Sequence, residues 1–120
     1  MSNDEKSQDN SKKWMIQADG SSVQRRGGVR VIINTPEGGI LKYGVQLQFP
    51  ATNNEAKYEA ILTGLKIGKA LGPKNILLKS ASKLVIGQIR GESEAKEGRM
   101  QKYLKLTNQL IQEFDQVDFT

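Results

Sequence analysis

Apolar residues recur along this chain at two periods, and the switches between them mark out its elements. In "WMIQADGSS", Trp14, Ile16 and Ala18 take one face while Met15, Gln17 and Asp19 take the other, the two-residue period of a strand. Gly20, Ser21 and Ser22 are expected to break it. A second strand is expected from about Val29 to Asn34, closed by a Pro36-Glu37-Gly38-Gly39 turn. "ILKYGVQLQF" alternates, with Leu41, Tyr43, Val45, Leu47 and Phe49 inward and Lys42, Gln46 and Gln48 outward. Strands two and three therefore read as an antiparallel hairpin with the first strand beside them.

After Pro50 the period becomes helical. Thr52 followed three places later by Glu55 is a capping box. Tyr58, Ile61, Leu62 and Leu65 then form a stripe on a helix expected from about Asn53 to Leu71, stopped by Gly72-Pro73. "NILLKS" reads as a fourth strand, followed by a short helix from about Ser82 to Ile89 that Gly91 ends. A third helix is expected from about Glu94 to Phe114, with Met100, Tyr103, Leu104, Thr107, Leu110, Ile111 and Phe114 on one stripe. "QVDFT" reads as a fifth strand. Three antiparallel strands followed by helix, strand, two helices and strand predict an α/β fold, a mixed sheet with helices packed on it.

Composition narrows the chemistry. At 120 residues the chain is one small domain. Residues 1–13 are polar and read as a disordered leader, which leaves 14–120 as the folded domain. There is no Cys and no His, so thiolate chemistry and the commonest general base and metal ligand are excluded. No apolar run approaches the length of a membrane span, and no membrane role is expected. A cytoplasmic or nuclear location is the expectation. The charges of residues 1–13 cancel, so the net +5 belongs wholly to the folded part and suits a polyanionic partner.

The segments "ADGSS", "FPATNNEAKYEAILTGLKIGKALG" and "LLKSASKLVIGQIRGESEAKEGRMQKYL" together resemble the ribonuclease H family. The likeness is closest to the ribonuclease H domains of plant long-terminal-repeat retrotransposon polyproteins, and it runs from Trp14 to Thr120. It implies a ribonuclease H-like five-stranded mixed sheet with three helices, the family's C-terminal helix missing because the sequence stops at Thr120. It also implies RNA–DNA hybrid as the partner and cleavage of the RNA strand by two Mg²⁺ or Mn²⁺ ions. Such metals call for clustered carboxylates, because hard cations prefer oxygen ligands.

Here the sequence departs from the family. The first family carboxylate matches Asp19; Lys57 stands at the second, and Ala81 at the third, inside "SAS". The fourth belongs to the missing helix. Glu55 and Glu59 lie two residues either side of Lys57, about 200° around the helix from it, and do not repair the loss. The expectation is a catalytically inactive domain with a relic carboxylate at Asp19. No cofactor is expected, and residual metal binding would fall to Asp19 alone. Two readings of Lys57 stand open: its ammonium pairs with Asp19 in place of a metal, or its stem carries it out to solvent.

The residues expected to touch nucleic acid are Arg25, Arg26, Asn53, Asn54 and Ser82. Arg25 and Arg26 precede two glycines in a turn that could clamp phosphates, although Arg30 departs from the small residues usual in this stretch. Asn53 and Asn54 match family residues near the second carboxylate, and read otherwise as the first residues after a helix cap. Binding without metal is expected to be weak and salt-sensitive. The alternative is a protein-interaction or self-associating scaffold, using sheet surface left uncovered by the missing helix. A third reading makes Ala81 a deliberate knock-out of an active enzyme, which leaves Lys57 unexplained.

Overall fold

The computed structural model describes residues 13–96 and 98–120. Of the expected leader, all but Lys13 lies outside the described residues; Lys13 Nζ donates to Asp118 Oδ2 at 2.6 Å. Five strands and three helices follow in the expected order: β1 (Trp14–Val23), β2 (Arg26–Asn34), β3 (Ile40–Pro50), α1 (Asn53–Leu71), β4 (Asn75–Ser80), α2 (Lys83–Ile89), α3 (Gly98–Ile111) and β5 (Gln116–Phe119). They form one sheet in the order β3-β2-β1-β4-β5. The β1–β2 and β2–β3 pairs are antiparallel; β1–β4 and β4–β5 are parallel. None of the described helices is long and apolar enough to cross a membrane.

The helices share one face of the sheet. Ile16, Ala18, Val29, Val31, Ile33, Ile76 and Leu78 meet Tyr58, Ile61 and Leu65 of α1 in a continuous buried core. Each buried Val, Ile or Leu side chain among them contributes roughly 1.5–3 kcal/mol relative to an exposed one. Both ends of α1 form as its sequence predicts. Thr52 N donates to Glu55 Oε1 at 2.8 Å, and Glu55 N donates to Thr52 Oγ1 at 3.1 Å. Gly72, at φ 95°, closes the far end by donating its N–H to the Gly68 carbonyl at 3.1 Å. The stripe on α3 faces this layer: Met100, Thr107 and, just past the helix end, Phe114 are buried, and Tyr103 stacks on Tyr58 with ring centroids 5.5 Å apart.

Four expectations need correction. Gly20, Ser21 and Ser22 do not end β1; they pair with Val29, Gly28 and Gly27, and the strand runs on to Val23. The partner strand decides this, since an intact ladder outweighs weak local strand propensity. β2 accordingly starts at Arg26 rather than near Val29, and the turn is Gln24-Arg25, both at positive φ (53° and 65°). α3 begins at Gly98, not Glu94, and ends at Ile111. Ala95 is buried ahead of it, and its carbonyl accepts from Gln101 Nε2 at 3.0 Å. Finally, Leu41, Val45 and Phe49 face the helical side, yet they remain 36–45% exposed, because β3 is an edge strand beyond the reach of α1.

The other face carries no helix among the described elements. Its rungs follow from the register. Ile40, Asn34, Met15, Leu77 and Asp118 align on one; Lys42, Ile32, Gln17 and Lys79 on the next; Gly44, Arg30 and Asp19 on a third. Apolar and charged side chains are thus interleaved across this open face.

Candidate nucleic-acid interface

The second half of β1 lies along the first turns of α1, and this seam gathers most of the residues singled out from the sequence. Gly20 is its closest point: a β-carbon there would stand 2.0 Å from the Ala56 carbonyl oxygen and 3.0 Å from the Lys57 backbone N. Only a residue without a side chain lets the helix come this near. The Lys57 backbone is thereby held against residue 20, the next residue after Asp19. Further along the seam, Ser22 N donates to Asn53 Oδ1 at 2.7 Å, and Ala51 N donates to the Arg25 carbonyl at 3.0 Å.

Asp19 itself is exposed, in the middle of β1 rather than at its end, with Arg30 directly across. β4 pairs Ser80 with Ala18, which brings Ala81 to the same place. Asp19, Arg30, Lys79, Ser80 and Ala81 line one cavity of about 290 Å³. A second hollow, about 420 Å³, runs from Asp19 and Arg30 toward Ser21, Gly28 and Gln46. Lys57 is half-buried, and it forms no ion pair with Asp19 within 4 Å. The pairing reading for Lys57 is therefore not realised.

Arg25 and Arg26 project from the hairpin tip, both exposed. Arg25 also lines a cleft of about 550 Å³ with Phe49, Glu55, Arg99, Lys102 and Tyr103. In its wall, Arg99 Nη1 donates to Glu55 Oε2 at 2.9 Å, and Tyr103 Oη donates to Glu59 Oε2 at 2.7 Å. The Thr52 backbone N–H and then Arg99 hold the Glu55 carboxyl below its usual range, against the opposing effect of burial. Burial, aided by the Glu59 carboxylate, pushes the Tyr103 phenol up.

Asn53 is exposed and Asn54 half-buried at the start of α1. Ser82 is buried and caps α2, its Oγ accepting from Val85 N at 3.2 Å. Its hydroxyl oxygen is engaged within the fold, away from the Arg25–Asn53 end of the seam. Lys79 carries no motif of its own in the sequence; only the alternation of "NILLKS", which sets Leu77 and Lys79 on one face, signals it.

The divalent-metal site that the resemblance implies can be tested on these donors. Mg²⁺ needs several oxygen ligands and sheds water reluctantly. Position 19 supplies one carboxylate, position 57 an ammonium stem and position 81 a methyl group. No group of three or more potential metal-ligating side chains forms among the described residues. These residues do not fit a pair of Mg²⁺ ions.

An antiparallel three-stranded half joined to a parallel half, with helices on one face and a polar seam at Gly20, defines a ribonuclease H-like fold. The solved structure of ribonuclease H1 from the halophilic archaeon Halobacterium salinarum NRC-1 superposes with a TM-score of 0.85 at 25% identity, covering 90% of this chain and 83% of that one. The N-terminal ribonuclease H domain of rv2228c from Mycobacterium tuberculosis, solved as a maltose-binding-protein fusion, gives 0.82 at 26% identity, with 89% and 84% covered. LC11 ribonuclease H1, solved in complex with an RNA/DNA hybrid, gives 0.81 at 22%, with 90% and 83% covered, a likeness of fold. No curated protein matches the chain. The reverse transcriptase-like family matches residues 17–120, and the chain belongs to that family.

Proposed function

We propose that this ribonuclease H-like domain binds RNA–DNA hybrid without cleaving it. The reading is supported most by Lys57: a cationic residue, whose backbone lies against Gly20, stands at the position where the family resemblance calls for a second carboxylate. The relative solved with an RNA/DNA hybrid shares this fold, and Arg25, Arg26, Asn53 and Asn54 share one end of the β1–α1 seam. Phosphate contacts made by such residues without a bridging metal imply modest, salt-sensitive affinity. The likeness to retrotransposon polyproteins suits this role, as does a place in cytoplasm or nucleus where hybrids arise.

The test is cleavage of a labelled RNA–DNA hybrid in Mg²⁺ and in Mn²⁺, beside the double variant Lys57→Glu/Ala81→Asp. The expected result is no cleavage by the parent chain and a gain of cleavage by the variant. Cleavage by the parent chain would overturn the proposal.

A further inference from the structure

The surroundings of Asp19 are cationic. Cross-strand pairing sets Arg30 opposite it on the open face, where directly opposed side chains have Cβ atoms about 5 Å apart. One rung away on that face, Lys79 aligns with Gln17 and Lys42 with Ile32. Arg30 and Lys79 line the 290 Å³ cavity together with Asp19, Ser80 and Ala81. On the helical side, the Lys57 backbone lies against Gly20, and Lys57 is not among the residues that line this cavity. The ion pairs among the described residues are Lys13–Asp118, Lys69–Glu113, Arg90–Glu92 and Arg99–Glu55. None of them neutralises Arg30, Lys57 or Lys79.

Asp19 subtracts from this positive field without cancelling it. A divalent cation would enter against the positive charges of Arg30 and Lys79, with Asp19 as the acidic side chain to hold it. An anion meets the opposite situation. Arginine offers a planar fork that matches phosphate oxygens, lysine a compact charge, and the Ser80 hydroxyl a further donor. Ala81 adds no side-chain carboxylate to the rim, which Thr120 also lines. We infer that this cavity is a phosphodiester site in which Arg30 and Lys79 take the place of the metal ions, gripping one backbone phosphate of nucleic acid without metal. The inference rests on the proposed hybrid binding and adds where, and through which charges, the backbone is held.

Fluorescence anisotropy of a labelled RNA–DNA hybrid, titrated in EDTA and in Mg²⁺ across a salt series, tests it. The intact chain is expected to bind equally well in both. Arg30→Gln and Lys79→Gln are each expected to lower the slope of log K against log salt by about one. Circular dichroism and urea midpoints confirm that each variant is folded. If hybrid is bound but Arg30→Gln and Lys79→Gln keep the parental slope, while Arg25→Gln or Arg26→Gln lowers it, the backbone is held elsewhere; this inference falls and hybrid binding stands. Affinity that rises with Mg²⁺ in the intact chain also overturns it. No binding by the intact chain removes both readings.

Discussion

A β-carbon at position 20 would meet the carbonyl carbon of Ala56 at 2.5 Å and its oxygen nearer still. Both are backbone atoms of a capped helix and cannot rotate away. Gly20→Ala is expected to cost about 1–3 kcal/mol, as overpacking of a tight contact does, and urea unfolding with an unchanged m-value would show it. Glu55 makes a second residue-scale prediction. Its folded pKa lies below the ordinary value of 4.5, through the Thr52 N–H first and Arg99 after it. A depressed folded pKa means stability that is present above about pH 4.5 and lost as pH falls through the folded value. Glu55→Gln should flatten that acid limb in thermal melts recorded from pH 7 to pH 3. The capping box was legible because its partners are three residues apart. The Gly20 contact was not, because it joins a strand and a helix that only the packed fold brings together.

At the scale of elements, the β1–β2 hairpin holds Gln24 and Arg25 at positive φ, where L-residues pay a steric cost and Gly or Asn is favoured. Arg25→Gly should stabilise the hairpin by a few tenths to about 1 kcal/mol. Under the proposed function it should also weaken hybrid binding, and a urea midpoint that rises while hybrid affinity falls would separate the two effects. This hairpin is also where local reading failed. Gly20, Ser21 and Ser22 carry turn chemistry, but nine register pairs with β2 override it. Long periodic elements fared better: the bounds of α1 agree with its sequence, since caps and stripe point the same way. Edge exposure at Val45 and Phe49 could not be read from alternation, which reports the face a residue takes and not whether that face is covered.

For the whole molecule, stability should fall in alkali as well as in acid. Burial pushes the Tyr58 phenol up to about 12, and the hydroxyl donates to Gln88 Oε1. A raised folded pKa gives stability that is full below the ordinary tyrosine value of 10.0 and lost as pH rises toward 12. Unfolding midpoints at pH 8 and pH 11 should therefore differ more for the parent than for Tyr58→Phe. At pH 8 that variant should itself lose about 1–3 kcal/mol, because the buried Gln88 is left without its partner.

The sequence alone determined the order of elements, the fold class and the departures at Lys57 and Ala81, because periodicity, caps and residue identity are local properties. The resemblance pointed to Asp19 as the candidate carboxylate without coordinates. Only the tertiary structure decided that Asp19 sits within β1 opposite Arg30, that Lys79 shares its cavity, and that Ser82 is spent on capping α2. These are facts of register and layer packing. Strand pairing sets residues far apart in the chain on a common rung, and a one-residue slip would turn each of them to the other face.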